Sequence, residues 1–278
     1  MTDTAKEVEI TPPKKNYKSL GQAMAAHDFS YIFEELNQWI EKEDSNYRGL
    51  FDNVKTNHGD TGIGLVIDSL LFAIPKYAVN SEDNSLYPMV KEVAELFISL
   101  GADPTITYYK AIYGEHVSNV VLESAKLPNS ELLQFFYENK FWDDPKDIKT
   151  ESDLDTLQFA TTGDSAACIE YLVKEQGFDV NARYFFSNDA TPIFFAVGRK
   201  CENAFDKLIE LGADIKLIDY YGCNPVSYLA TEDFQFDEKY ENAPEKKEEW
   251  INFSKKVTDV YNQTPEKEKV KKVRRSSF

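Results

Sequence analysis

The amino-acid sequence predicts an all-α repeat fold made of short helices taken in pairs. Three observations carry that prediction. Two segments align with one another at a fixed separation, a glycine-terminated helix ending recurs, and between these marks apolar residues return at helical spacing.

The aligned segments are Asp189-Ala190-Thr191-Pro192-Ile193-Phe194-Phe195-Ala196 and Gly222-Cys223-Asn224-Pro225-Val226-Ser227-Tyr228-Leu229. Pro192 and Pro225 stand 33 residues apart. Thr191 and Asn224 suit a helix N-cap, since a short side-chain oxygen accepts from the first free backbone amides. Proline fits the first helical position, where no amide bond is lost. Between the two segments Phe205, Leu208, Ile209 and Leu211 recur on one helical face, and Gly212-Ala213-Asp214 follows. A glycine just past a helix end accepts the left-handed conformation that stops it. The same ending occurs at Gly101-Ala102-Asp103 and, degraded, at Gly177-Phe178-Asp179.

These residues resemble the ankyrin family, whose repeat is a Thr-Pro-Leu-His start, a short helix, a turn, a second helix, then Gly-Ala-Asp and a β-hairpin. The run from Gly212 to Pro225 follows that order and spacing. Phe194 and Ser227 stand where the family has His, whose hydrogen bonds cap that turn. The resemblance covers 153–229 most fully and 69–105 in part. It implies an ankyrin-like helical-repeat solenoid with short β-hairpin loops and about six helical pairs.

The expected pairs are 20–26 with 29–40, 68–73 with 90–100, 121–125 with 130–137, 155–161 with 167–174, the pair between the aligned prolines, and 225–230 with 246–261. The polar stretch 80–87 reads as an insertion. A single helical hairpin cannot bury its own apolar face, so neighbours must supply the missing wall and the end units must turn a polar face outward. Glu41-Lys42-Glu43-Asp44 and Glu245-Lys246-Lys247-Glu248-Glu249 suit such caps. The chain divides into a disordered N-terminal segment 1–16, the repeat domain 17–262 and a basic disordered tail 263–278.

Composition agrees. The 278 residues are 42% hydrophobic, enough for a sizeable core, and the net charge is −17. From Thr264 to Phe278 there are six Lys/Arg and two Glu, so the tail is +4 and the rest of the chain −21. Such a body repels nucleic acid and anionic lipid, so no direct binding to either is expected. Three cysteines, Cys168, Cys201 and Cys223, form no CxxC pair and suit a reducing compartment. No apolar run approaches the roughly 20 residues of a membrane span. The expected location is the cytoplasm, or the nucleus.

Few residues point to catalysis. His27, His58 and His116 lack ligand spacing, and no zinc pattern occurs. There is no nucleophile elbow and no Walker-type loop. The glycines of 59–64 lack the order and the lysine of a phosphate cradle and read as a loop between repeats. No catalytic residue, metal or cofactor is expected.

The binding signal is aromatic. Counted from the glycine that ends each helix pair, Tyr108 and Tyr109 follow Gly101, Tyr184, Phe185 and Phe186 follow Gly177, and Tyr220 and Tyr221 follow Gly212. In an ankyrin-like hairpin these lie at or beside the exposed tip, and stacked repeats would line them into a stripe joined by Phe141 and Trp142. The plain alternative is that the rings pack on one another and on their loops. Two acidic groups are weaker candidates: Asp143, Asp144, Asp147, Glu151, Asp153 and Asp155, and the carboxylates of 232–241. The expectation is a non-catalytic scaffold that captures or inhibits a protein partner through its tips and concave face. The alternative is a pathogen- or phage-type effector that inhibits a host enzyme, with its acids imitating nucleic acid. Oligomeric state stays open.

Overall fold

Apolar spacing sets the helices. In a computed structural model, which describes residues 17, 19–42, 66–79, 87–106, 108–110, 116–150, 152–229 and 244–265, Phe29, Ile32 and Leu36 are buried along one face of α2 (Phe29–Lys42). The expected N-terminal segment, the glycines of 59–64, residues 80–86 of the insertion, the acids of 232–241 and residues 266–278 lie outside the described residues. Before α2 comes α1 (Leu20–Ala25), capped by Ser19 through its Oγ and the amide of Gln22.

The helices α3 (Val66–Val79) and α4 (Tyr87–Ser99) lead to a two-stranded hairpin, β1 (Tyr108–Lys110) and β2 (His116–Ser118). Then follow α5 (Val120–Ser124), α6 (Glu131–Glu138), α7 (Thr156–Thr162), α8 (Ala166–Lys174), α9 (Pro192–Gly198) and α10 (Glu202–Glu210). Residues 225–229 form α11, and α12 is Pro244–Gln263. The structure is mostly helical, in keeping with the all-α expectation, with one short hairpin. The first helix of the second pair, expected over 68–73, is longer and carries Pro75 inside it. Ile74 and Ala78 are buried on either side of that proline, so packing holds a turn that lacks one backbone bond.

Helix contacts run in two rows. In the first, α1 meets α3, α3 meets α5, α5 meets α7 and α7 meets α9. Tyr228 of α11 extends it, edge-on to Phe194 of α9 at 5.3 Å. In the second, α2 meets α4, α4 meets α6 and α8 meets α10. Ring pairs complete that row: Tyr137 of α6 lies 5.9 Å from Tyr171 of α8, and Phe205 of α10 lies 5.7 Å from Phe253 of α12. Helices α1, α3, α5, α7 and α9 also pack on the helix that follows each, and one apolar core runs from Leu20 to Val257. At the far end α12 buries Trp250, Phe253 and Val257 and exposes 245–249.

Polar bonds brace the pairs: one joins α3 to the turn after its own partner α4, and the others cross from one pair to the next. Asp68 Oδ1 accepts from the amide of Asp103 at 2.7 Å, Asp164 Oδ1 from that of Ala204 at 2.8 Å, and Asn181 Oδ1 from that of Asp214 at 2.8 Å. Ser165 Oγ donates to the Leu127 carbonyl. Gly101, Gly177 and Gly212 take φ of 98°, 68° and 91° where their helix pairs end. The unit without a glycine uses Lys140, at φ 51°, and a non-glycine residue accepts this at about 1–2 kcal/mol. Gly163 serves a different need. A Cβ there would lie 2.5 Å from Lys126 Cα, so the end of α7 and the turn after α5 could not meet over any side chain.

The expected cap at Thr191 differs. Asn224 Oδ1 accepts from the amide of Ser227 at 3.1 Å. Thr191 occupies the cap position of α9 but makes no side-chain cap bond, and its buried Oγ1 has no partner among the described residues. The buried ring of Phe194 stands three residues on, where a polar side chain could have answered the hydroxyl.

Two stability changes follow from this packing. Thr191→Val, which keeps shape and removes an unanswered hydroxyl, should leave stability unchanged or raise it by about 1 kcal/mol in urea unfolding. Phe205→Ala should lower it by about 3–5 kcal/mol, because the cavity opens between α10 and α12.

Candidate partner-binding surface

The surface begins where helix pairs end. After Gly177 turns the chain, Asp179 Oδ1 accepts from the amide of Asn181, and the backbone runs out to Tyr184. Residues Phe185–Ser187 make a single 3-10 turn. Asn188 and Asp189, both at φ 59°, reverse the chain so that Ala190 pairs back with Tyr184. Asparagine and aspartate are the non-glycine residues that tolerate this region best. The next loop is built around Asp219. Its Oδ1 accepts from the amides of Tyr221 and Cys223, both at 2.9 Å, and its own amide donates to the Cys223 carbonyl.

The two loops are joined. Tyr220 donates its amide to the Asn188 carbonyl at 2.8 Å. Arg183 Nη1 donates to the carbonyls of Asp189 and Ile218, both at 3.0 Å. This scaffold holds four rings in solvent: Phe185 is 74% exposed, Phe186 65%, Tyr220 74% and Tyr221 71%. Within each loop the rings meet edge to face, at 5.5 Å for the phenylalanines and 5.4 Å for the tyrosines. Ile218, 51% exposed, adjoins them. The other large exposed apolar side chains among the described residues, Ile40, Val79 and Ile251, lie on three separate helices.

Tyr184 does not join this group. It is 2% exposed, its ring lies edge-on to Phe195 at 5.7 Å, and its hydroxyl donates to Asp155 Oδ1 at 2.8 Å. Tyr184 is the last extended residue before the 3-10 turn and turns in, whereas Phe185 and Phe186, the first residues of that turn, both face out. Asp219 holds the equivalent place in the next loop and is also buried. That match, seven residues after each glycine, was the signal in the sequence that separated an inward position from the two outward ones.

The remaining expected residues divide. Tyr108 and Tyr109 lie on β1, opposite Ser118 and Val117, and their side chains are outside the described set. Phe141 and Trp142 are half-buried, with Phe141 edge-on to Phe136 at 6.3 Å, so they do not continue an exposed stripe. A second aromatic row went unread. Phe159, Phe195 and Tyr228 each stand four residues after the N-cap positions Asp155, Thr191 and Asn224, and each is half-buried. Only the register of the caps reveals it.

The first acidic group separates too. Asp143, Asp144 and Asp147 are exposed, and Asp153 pairs with Lys149 at 2.9 Å. Asp155 is buried as the cap of α7, accepting from the amide of Gln158 at 3.0 Å. Burial pushes its carboxyl above the usual range, while the Gln158 amide and the Tyr184 hydroxyl pull it down. Burial also lifts the thiols, Cys168 to about 12 and Cys201 to about 11, so neither is a ready thiolate at neutral pH. Among the described residues no group of three or more His, Cys, Asp or Glu gathers as a metal site. No helix there is long and apolar enough to cross a membrane.

The raised Asp155 carboxyl favours the folded state most below pH 3.8, its unfolded value, and that contribution is lost as pH rises through the folded value. Tyr184→Phe removes a donor to the charged form and raises the folded value further. The variant should lose about 1.5–3 kcal/mol at pH 7 and less near pH 3, read from urea unfolding at both pH values. In comparisons with known proteins, no family model matches this chain and no curated protein is similar to it in sequence.

Proposed function

We propose that this chain is a non-catalytic binding scaffold of ankyrin-like helical pairs, and that it captures a protein partner through two adjacent loop tips. The observation that carries the reading is the set of four rings, Phe185, Phe186, Tyr220 and Tyr221, each at least 65% exposed on loops that a backbone hydrogen bond joins. Exposing such rings to water is unfavourable, at about 25 cal/mol for each Å² of apolar surface. Among the described residues no packing calls for it: Tyr184, the neighbour of Phe185, is itself a ring that the same loop buries. Tyrosine and phenylalanine are enriched where protein interfaces form, and the loops are held before any partner arrives.

The scaffold reading rests on the two rows of contacting helices and on the repeated Gly-Ala-Asp endings, which together favour a solenoid. The half-buried row Phe159, Phe195 and Tyr228 lies on first-row helices, on the side that would form a concave face in such a stack. It would extend the surface inward from the tips. The proposed action is stoichiometric: occupying, tethering or inhibiting the partner.

The test is the combined variant Phe185→Ser, Phe186→Ser, Tyr220→Ser and Tyr221→Ser. Its circular dichroism and urea midpoint should stay close to the parent's, because exposed rings add little to the core. Immobilised parent should retain a lysate protein that the variant releases. Equal retention by both would remove the tips from the function.

A further inference from the structure

We propose that the partner presents a cationic segment, with Lys or Arg side chains laid over the rings of the two tips. This rests on the binding reading above and adds the partner's chemistry. An ammonium or guanidinium within about 6 Å of an aromatic face is attracted by the ring's negative quadrupole. The chain already uses this contact. Lys76 lies 3.9 Å from the Phe72 ring centroid, Lys126 4.8 Å from Phe159, Lys146 5.9 Å from Phe178 and Lys216 3.5 Å from Tyr261. Among the described residues, none of the four tip rings carries such a cation.

Charge points the same way. The chain outside its last fifteen residues carries −21. The two tip loops hold four carboxylates, Asp179, Asp189, Asp214 and Asp219, against two cations, Arg183 and Lys216. Both cations keep their charge, which leaves the two loops at −2, but neither lies over a tip ring. Arg183 Nη1 is shared between two carbonyls, and Lys216 stacks on Tyr261. A basic segment therefore approaches down a negative field and finds ring faces that no described cation covers. Ile218 supplies an apolar strip for the aliphatic stem of a lysine or arginine, whose charged head then reaches a ring.

Fluorescence anisotropy with labelled deca-lysine and deca-glutamate peptides tests this on the full chain. Deca-lysine should bind and weaken as salt rises, while deca-glutamate should not bind. The four-serine variant keeps every charge and should bind deca-lysine about tenfold more weakly or worse, since several ring contacts are lost together. Tyr220→Phe with Tyr221→Phe keeps the ring faces and should bind like the parent. Equal binding by the four-serine variant would assign the attraction to diffuse acidic charge and overturn the proposal. If that variant still loses its lysate protein, the tips remain the binding surface and only the cation is wrong. Removal of residues 266–278 should leave deca-lysine affinity within about twofold; a large gain would make the chain's own basic end the occupant and overturn an external partner.

Discussion

Among the described helices, no pair covers its own apolar flank. The short helices α5, α7 and α9 span 5, 7 and 7 residues, below the length at which an isolated helix is stable in water. They persist because each is packed against its partner and against the helix before and after it. The polar bonds follow the same rule. Asp164 and Asn181 each answer a backbone amide of the following pair, so backbone groups of one pair are satisfied by side chains of the one before, while Asp68 on α3 answers the amide of Asp103 after its own partner α4. Burial and hydrogen bonding thus couple neighbours, and a fault in one unit is felt next door.

That coupling places the loops. Since Tyr220 donates to Asn188 and Arg183 bridges to Ile218, the loop after α10 is registered on the loop after α8. The change from extended backbone to a tight turn at each tip then sorts the side chains. Tyr184 and Asp219 turn inward and take polar partners, while the two residues after each turn outward. The inward position is structural: Tyr184 completes the hydrogen bonding of Asp155, which caps α7 in the preceding unit. One tyrosine therefore braces the loop that displays the neighbouring rings.

Electrostatics and hydrophobicity serve the proposed surface in different ways. The acidic body sets a long-range field that favours encounter with a basic partner, and salt weakens it. The rings act only at contact, through area and ring-face attraction. Ion pairs such as Lys256 with Glu202 and Asp206 belong instead to the end of the helical rows, where they fasten the exposed flank of α12. Pairs this exposed add little stability each, and the buried Trp250, Phe253 and Val257 hold that helix.

Much of the helical plan was legible in local residues. Pro192 and Pro225 mark helix starts, Gly101, Gly177 and Gly212 mark pair ends, and apolar spacing names buried faces such as Phe205 and Leu208. Each of these is read from a few neighbours, because caps, left-handed glycines and amphipathic periods are short-range effects. Tertiary structure decided what short-range effects leave open. It kept α3 running through Pro75, put Lys140 where a glycine was absent, left the Thr191 hydroxyl without a cap bond, and drew Asp155 out of the acidic group into the interior. It also separated Tyr184 from Phe185, adjacent rings of similar character. Which of them is buried depends on a carboxylate 29 residues away that accepts the tyrosine hydroxyl, and such a contact exists only once the units pack.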